Sequence, residues 1–383
     1  MTSSLGRRLL KFWLPTFFGA GLLLAAIITL WRVELSHRYI PIVIAPGPPA
    51  KVLPDANFSQ RKVIRVLAVD GGGVRGLIPA QVLAYLEHKT GRPTADLFDL
   101  FVGTSSGGIV TAACLTPDAN GKPRYTADGI VQSFERLAPK IFTPPLRYRL
   151  LTLDGILGPK YSSEGKGDAF QEEFGSIPFG SLLKPAIMTA YDMLEERPDL
   201  LINWQLEWAN YSVPAILNAE TTVTGIFNPV LLAGPENRRH MYTDEGIIEN
   251  DPSAVAVAFL REYAPGAQVI VVNLGTGRFL MNSKSPHPYS LGELRWISEL
   301  LPYLESSNVQ VTQRAMYSQE KYLGADRLVY FNINIDMPPG RFYHPFDASA
   351  KNLANIRALG EQCIQKNQAT LDKVAGLLVN PGN

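Results

Sequence analysis

The chain has 383 residues, of which 46% are hydrophobic and 19% are charged, and its formal net charge is +1. This length and apolar content suffice for one large α/β domain, or two smaller ones, with a substantial core. The near-neutral balance gives no electrostatic case for nucleic acid or for an acidic partner, so we expect no nucleic-acid partner. The two cysteines, Cys114 and Cys363, form neither a disulfide framework nor a metal-ligand spacing.

An uncharged apolar run near the N-terminus follows Arg7, Arg8 and Lys11. As a helix, residues 12–31 span about 30 Å, the hydrocarbon thickness of a bilayer. A secretory signal peptide is the alternative, although its apolar core is usually about 7–15 residues long and is followed by a cleavage site. The pattern predicts an uncleaved single-pass membrane anchor over residues 1–31, with the body of the protein on the non-cytoplasmic side.

Residues 32–60 are rich in proline and are typical of a semi-rigid linker. Beyond them, apolar runs and helical patterns alternate. Strands are predicted at 63–69, 98–102, 186–193, 201–206, 242–243, 269–274 and 328–335. Helices are predicted at 77–87, 106–115, 211–219, 252–263, 291–304, 307–322 and 349–378. Residues 139–183 have no long period and are interpreted as a cap over the site or a surface insertion.

The alternation of strands with helices predicts a mostly parallel sheet covered by helices on both faces. We expect this domain to occupy residues 61–340. Residues 341–383 are expected to form a helical segment that packs on the domain.

The segment Gly103-Thr104-Ser105-Ser106-Gly107 fits the pattern G-x-S-x-G between a predicted strand and a predicted helix. Such a strand-to-helix turn strains the central residue and presents its hydroxyl at the sheet edge, while the flanking glycines allow close approach of neighbouring segments. The pattern therefore points to Ser105 as a nucleophile, with Ser106 as the lesser candidate. The alternative is a glycine-rich turn with a helix-capping serine.

Three consecutive glycines follow the first predicted core strand, in the sequence from Asp70 to Gly76. The backbone N–H groups of Gly71, Gly72 and Gly73 are unobstructed by side chains and suit a phosphate or a tetrahedral oxyanion. Arg75 could add positive charge at the same place.

Gly71, Gly73 and Gly76 also satisfy the dinucleotide-binding pattern G-x-G-x-x-G. The acidic ribose partner of such a site should end the second strand. Asp96 and Asp99 precede the core of that strand instead, and a dinucleotide site leaves the serine motif unexplained.

Asp244 follows a short predicted strand and could accept the proton of Ser105 directly, as a carboxylate base. Glu245, Glu249 and Asp251 lie close to it in sequence and raise the question of a metal site. We interpret them as surface charges and a helix cap, so no metal is expected.

A histidine after Asp244 could complete a Ser–Asp–His triad, and the candidates are His287 and His344. Both lie next to proline in loop-like sequence. The simpler interpretation is that they are surface loop histidines.

Taken together, these segments resemble the patatin-like phospholipase family, in a bacterial-type form with an N-terminal membrane anchor. The loop Asp70 to Gly76 matches the family pattern D-G-G-G-x-R-G, and Gly103 to Gly107 matches its G-x-S-x-G turn. Asp244-Glu245-Gly246 stands where the family carries D-G-G or D-G-A. Similarity also runs through GPKYSSEG, LLKPAIMTAYDM and VVNLGTG, and covers roughly residues 60–340.

The resemblance implies a three-layer α/β/α fold and a lipid acyl hydrolase of phospholipase A or lysophospholipase type. It implies a Ser–Asp dyad, an acyl-serine intermediate and no cofactor or metal. The implied partners are a membrane and a phospholipid or other acyl-ester lipid. The implied site comprises Ser105 and Asp244 as catalytic residues, Gly71, Gly72, Gly73 and Arg75 as the oxyanion hole, and Gly103, Gly107 and Gly246 as supporting glycines.

Two departures from the family pattern bear on the site. Glu245 replaces a glycine beside the aspartate; a glutamate would be strained there at positive φ, and its charge could raise the pKa of Asp244. Residues 206–225 are degenerate where relatives carry an Ala/Ser-rich helix with an arginine. Two other functions therefore stay open: a catalytically silent member of the fold that binds lipid or a partner, and a dinucleotide-binding protein.

Overall fold

The computed structural model describes residues 42–50, 53–234, 238–279, 293–338 and 343–379, together with residues 19, 21–22, 25–26 and 28–29 of a helical stretch. The strands are β1 (Ile42–Ile44), β2 (Val63–Val69), β3 (Leu100–Thr104), β4 (Ala186–Asp192), β5 (Arg197–Ile202), β6 (Val230–Ala233), β7 (Arg239–Thr243), β8 (Gln268–Leu274), β9 (Arg278–Phe279), β10 (Leu328–Ile333) and β11 (Asp336–Met337).

The α-helices are α1 (Leu77–Thr90), α2 (Thr94–Leu97), α3 (Ser106–Leu115), α4 (Ala127–Phe142), α5 (Leu146–Leu151), α6 (Ser163–Phe174), α7 (Leu206–Ala209), α8 (Val213–Glu220), α9 (Ser253–Tyr263), α10 (Glu293–Leu323) and α11 (Ala350–Val379). Short 3₁₀ turns lie at Phe58–Gln60, Gly73–Gly76, Leu153–Gly155 and Phe179–Ser181.

A nine-stranded sheet forms the centre of the molecule, in the order β1-β6-β7-β4-β3-β2-β8-β10, with β5 also paired to β4. The pairs β4–β3, β3–β2, β2–β8, β8–β10 and β1–β6 are parallel. The pairs β4–β5, β4–β7 and β6–β7 are antiparallel. The predicted α/β fold with a mostly parallel central sheet is confirmed.

The central strands are buried on both faces. In β2 the four consecutive residues Val66 to Val69 are inaccessible to solvent, and β3 is buried throughout. Because successive side chains of a strand point to opposite faces, consecutive burial requires cover on both sides. The strands at 63–69 and 269–274 are accordingly built mostly from β-branched and other apolar residues, which suit a sheet that is covered on both faces.

Helix α11 packs along α1. The Tyr85 hydroxyl donates to Asp372 Oδ1 (2.7 Å), and Lys89 Nζ pairs with the same carboxylate (3.0 Å). Gly91 ends α1 in the left-handed region (φ 66°) and donates its N–H to Glu87 O, an ordinary glycine cap. The limits of the catalytic domain and of the C-terminal segment remain predictions.

Several predicted elements differ from the observed ones. The strand expected at 201–206 lies at Arg197–Ile202, and Leu206 begins α7. Residues 42–44, within the expected linker, pair with β6 as the edge strand β1. Helix α10 is continuous where two helices were expected. Within it, the Ser306 hydroxyl donates to Phe279 O, and Asn308 Oδ1 accepts the Asn250 N–H. The irregular segment 139–183 contains α5 and α6. Helix α4, which ends inside this segment, was not predicted from the sequence.

The expected single-pass membrane anchor, and the non-cytoplasmic placement that rested on it, are corrected. Among the described residues, no helix combines the length and the apolar character needed to cross a bilayer. Most of residues 12–31 lie outside the described residues.

Candidate active site

The ends of three parallel strands meet at one edge of the sheet. Val69 of β2 lies opposite both Gly103 of β3 and Leu274 of β8. The segments that follow these strands therefore emerge side by side. Strand β7 runs antiparallel to β4, with Thr243 opposite Tyr191, so its last residue also reaches this edge. The predicted glycine loop, serine turn and aspartate are thus brought together.

Ser105 occupies the turn between β3 and α3 with φ 54° and ψ −123°, a conformation that L-residues rarely adopt. Such backbone strain costs about 1–3 kcal/mol and has to be imposed by the surrounding structure. A Cβ on Gly103 would lie 2.5 Å from the backbone of Gly107, and a Cβ on Gly107 would lie 2.1 Å from Val69 O. The two glycines of the motif therefore permit the close packing that holds Ser105 in place.

Asp244 is buried directly after β7, where its N–H donates to Thr222 O (2.8 Å). Its Oδ1 accepts the Gly246 N–H at 2.7 Å. Burial raises the pKa of Asp244 to about 6, while the Ser105 side chain and the Gly246 N–H act to lower it. Oδ2 is buried with no hydrogen-bond partner among the described residues.

Hydrogen bonds from Thr276 and Asn250 hold the first glycine of the glycine loop, Gly71, in place. The carbonyl of Gly71 accepts the Thr276 hydroxyl and Asn250 Nδ2 (3.2 Å), and the Gly71 N–H donates to Asn250 O at 3.1 Å. The N–H of Gly71 is therefore already engaged. In the described part of the chain, the N–H groups of Gly72 and Gly73 have no hydrogen-bond acceptor. These two donors are free to bind an anionic oxygen.

Arg75 is fully buried and pairs with Glu305 of α10. Its Nε donates to Gly72 O (3.2 Å), and its guanidinium lies 5.1 Å from the Phe279 ring centroid. Since the C=O and N–H of a trans peptide point in opposite directions, this bond turns the Gly73 N–H away from Arg75. Arg75 therefore orients the loop, and its charge is already neutralised by Glu305.

Glu245 does not have the positive φ that the family glycine suggested, so its backbone is not strained in that way. It is buried, not at the surface, and burial, with the charges of Glu249 and Asp244, raises its pKa to about 8. Asp251 is also buried, and its Oδ1 accepts the Ser253 N–H (2.9 Å) at the start of α9. The expected helix cap is present, whereas the expectation of surface charges is wrong.

A buried lysine lies beside the site, and the motif analysis missed it. Lys166 Nζ donates to Asn218 O (3.1 Å), Thr221 Oγ1 (3.1 Å) and Thr222 Oγ1 (2.7 Å). It also lies 4.5 Å from the Phe227 ring centroid. In the sequence, Lys166 directly follows the segment GPKYSSEG that carries part of the resemblance, but nothing local marked it as buried.

Burial lowers the pKa of Lys166 to about 7, although the negative charges of Glu220 and Asp244 oppose this shift. Glu220 is itself fully buried, and burial together with the charge of Asp244 raises its pKa well above its usual range. Asp244 is therefore flanked by one buried base and one buried acid from distant parts of the chain.

A cavity opens beside Ser105. Gly73, Ser105 and Lys166 line it, and most of its wall is apolar side chains of α3, α4 and α6. Its polar wall residues include Ser133 and Glu173, which bond to one another at 2.6 Å. Its mostly apolar wall beside Ser105 suits an apolar ligand with one reactive polar end.

The two candidate histidines do not join Ser105 and Asp244 among the described residues. His344 Nδ1 accepts the Phe346 N–H (3.1 Å), and burial lowers the pKa of His344. His287 lies outside the described residues. Asp99, a candidate ribose partner, instead binds Arg61 and Arg65 at the opposite end of β3.

Within the described ranges, one group of side chains has metal-ligand spacing, namely Asp192, Asp199 and His240. The His240 Nδ1 lies 2.7 Å from Asp192 Oδ2, and the Tyr242 hydroxyl donates to Asp199 Oδ2 (2.6 Å). The ligand atoms of this group are thus already hydrogen-bonded to protein. The predicted acidic candidates Glu245, Glu249 and Asp251 do not form such a group in that part of the chain.

Comparison with known proteins gives consistent matches. A family model described as patatin-like phospholipase matches residues 67–257. Patatin-like protein 2 of Oryza sativa subsp. indica is 24% identical over 358 residues, covering 83% of this chain and 88% of the relative. "Probable inactive patatin-3-Kuras 1" of Solanum tuberosum is 24% identical over 345 residues, covering 80% and 87%. The solved human GIVD cytosolic phospholipase A2 aligns with TM-score 0.46 and 10% identity, over 82% of this chain and 60% of that one.

Proposed function

Because the chain belongs to the patatin-like phospholipase family, we propose that it is a lipid acyl hydrolase of phospholipase A or lysophospholipase type. The observation that carries the proposal is the strained Ser105, held beside a buried carboxyl whose pKa is about 6. A carboxylate with that pKa is ionised at neutral pH and is basic enough to accept a proton. We assign Ser105 as the nucleophile and Asp244 as the base.

In the first step, the Ser105 Oγ attacks the ester carbonyl carbon and its proton passes to Asp244. The unpartnered Oδ2 of Asp244 is available for that proton. Collapse of the tetrahedral adduct breaks the ester C–O bond, and the departing alcohol takes the proton back. Water then attacks the acyl carbon of the acyl-Ser105 ester and gives up a proton to Asp244. Collapse of this second adduct breaks the bond to Ser105 Oγ, which takes the proton back from Asp244 as the fatty acid leaves.

The free N–H groups of Gly72 and Gly73 are proposed to hold the oxyanion, aided by the N-terminal end of α3. Gly71 and Arg75 contribute by orienting the loop, since the Gly71 N–H and the Arg75 guanidinium are engaged elsewhere. Loss of one oxyanion donor raises a barrier by about 2.7–4 kcal/mol in comparable sites.

The cavity is proposed to hold the acyl chain of a phospholipid or other lipid ester. Its wall of α3, α4 and α6 side chains supports this, because an alkyl chain gains free energy on leaving water. The proposed chemistry uses only groups of this chain and needs no metal or organic cofactor. We assign the catalytic unit to residues 61–340, with the C-terminal segment packed on it.

The second candidate is a catalytically silent lipid-binding member of the family. One relative carries the name of a probable inactive patatin. The feature of this chain that favours this candidate is Glu245, an acidic residue at the position of the family glycine beside Asp244.

A fluorophosphonate probe separates the two candidates. We expect the purified full chain to be labelled once, as read by intact mass, and Ser105→Ala to lose the label. Asp244→Asn should slow labelling at least a hundredfold, since general base catalysis is worth about 10²–10⁴ in rate. The matched control is Ser106→Ala, whose hydroxyl is buried without a partner among the described residues and should not matter. A folded wild type that stays unlabelled would refute the hydrolase proposal.

A further inference from the structure

The segment between α4 and α6 exposes several large aliphatic side chains. Leu146, Leu150 and Ile156 are 70%, 65% and 81% exposed, and Leu153 and Leu157 are also exposed. We call these five residues the 146–157 surface. Single exposed aliphatic residues are ordinary, but five within twelve residues are a concentration of exposed apolar surface of the kind that usually marks an interaction site.

Both ends of this segment lie at the rim of the cavity. Phe142 and Tyr161, which bracket it, are in edge-to-face contact with ring centroids 5.3 Å apart. Phe142 and Phe346 line the cavity, and the Tyr161 hydroxyl donates to Phe346 O (2.7 Å). A molecule bound to the 146–157 surface is therefore held next to the cavity that contains Ser105.

The segment is held in a defined shape. The Tyr148 hydroxyl lies 3.1 Å from the carbonyl oxygens of both Pro159 and Tyr161, which share its one proton as acceptors. Leu153 and Asp154 adopt positive φ values of 45° and 54°, which ordinary residues avoid unless the surrounding structure imposes them.

The charge of the segment indicates the partner. Between residues 142 and 160 there are three basic side chains, Arg147, Arg149 and Lys160, and one acidic side chain, Asp154. Arg149 pairs with Asp154 at 3.1 Å, which leaves a positive excess beside the apolar residues. Aliphatic side chains surrounded by basic ones fit an anionic lipid surface, where the former enter the headgroup boundary and the latter meet phosphates.

We propose that the 146–157 surface docks the protein onto anionic phospholipid aggregates and so delivers lipid esters to the cavity. This inference deepens the proposed function and rests on it for the statement that the docked lipid is also substrate. The docking itself can be measured without catalysis.

The chain offers a convenient spectroscopic test. Its own cysteines, Cys114 and Cys363, are buried, and burial raises the pKa of both thiols, so neither reacts readily with a maleimide. Ile156→Cys, labelled with an environment-sensitive fluorophore, should shift its emission to the blue on addition of vesicles containing phosphatidylglycerol. The matched control is Val311→Cys on α10, a side chain of comparable exposure that should not respond.

The second arm links docking to turnover. In Leu150→Ser/Ile156→Ser, hydrolysis of phosphatidylglycerol vesicles should fall by at least tenfold, since each aliphatic side chain contributes about a factor of ten or more to transfer out of water. Hydrolysis of a soluble short-chain ester should stay unchanged, because neither residue lines the cavity.

The outcomes are distinguishable. The docking proposal is overturned if the fluorophore on Ile156→Cys shows no blue shift, or if the fluorophore on Val311→Cys shifts equally. This holds even if the esters are hydrolysed. A shift confined to the Ile156→Cys variant with no hydrolysis of either substrate supports docking and refutes the hydrolase proposal. Equal binding to purely zwitterionic vesicles contradicts the role assigned to the basic residues.

Discussion

Replacing Lys166 by methionine removes a buried positive charge next to the proposed base while keeping a side chain of similar length. The charge of Lys166 lowers the pKa of Asp244, whose value is about 6 because of burial. Since the pKa of Lys166 is about 7, the cation is mostly present in the range where Asp244 titrates. Its removal should therefore raise the pKa of Asp244 and move the acid limb of activity to higher pH.

The size of the effect follows from the ionised fraction of Asp244. A rise of about one unit, typical for loss of one nearby charge, lowers that fraction at pH 6 from about one half to about one tenth. The rate at pH 6 should then fall about fivefold, whereas the rate at pH 8 should change by only about 10%.

The assay is the pH profile of kcat/KM on a soluble ester, with fluorophosphonate labelling rates as a second readout. Lys166→Arg keeps a cation and is the matched control, which should restore the wild-type acid limb. Thermal unfolding checks that the variant is folded, because three buried acceptors lose their donor. An unchanged acid limb, or an equal loss at pH 6 and pH 8, would refute the reasoning.

Three further perturbations test the site and the fold. Ser105→Gly should be about 1–3 kcal/mol more stable to urea than Ser105→Ala, because glycine relieves the strain at φ 54°; equal stabilities would contradict the strain. Thr276→Val removes the hydroxyl that donates to Gly71 O. It should lower the free energy of unfolding by about 0.5–1.5 kcal/mol and slow fluorophosphonate labelling. Unchanged labelling would show that the position of the glycine loop does not matter for the reaction of Ser105. Burial opposes ionisation of Asp99, but hydrogen bonds and charge from Arg65 hold its pKa below its usual range. This stabilisation is present above the unfolded-state pKa of about 3.9 and is lost as pH falls through the folded-state value, so Asp99→Asn should cost more at pH 7 than at pH 2.5 in urea titrations.

The local backbone of the site could be predicted from the sequence because glycine and apolar patterns act over a few residues. The limits of β2 and of α3 agree with the expected 63–69 and 106–115. The turn at Ser105 and the glycine loop follow from the same short-range rules, since glycines mark the places where segments approach closely. The roles of these residues remain predictions.

The N-terminal apolar run shows the limit of such patterns. Hydrophobicity over residues 12–31 suggested a membrane-spanning helix, yet no helix that could span a bilayer is found among the described residues. Similarly, the acidic residues after Asp244 looked like surface charges, whereas Glu245 and Asp251 are buried. Sequence carries charge and hydrophobicity, but burial is decided by the segments that pack around a residue.

The amino-acid sequence alone therefore indicated the mostly parallel α/β sheet and placed the polar motifs at the ends of its strands. Both features depend on local periodicity and turn chemistry. Only the tertiary structure decided what surrounds them. It pairs Arg75 with Glu305 and places Lys166 and Glu220 beside Asp244. Among the described residues, it leaves the N–H groups of Gly72 and Gly73 without an acceptor. These features join residues far apart in the chain, and the pKa values that they produce depend on burial and distance, which no spacing in the sequence encodes.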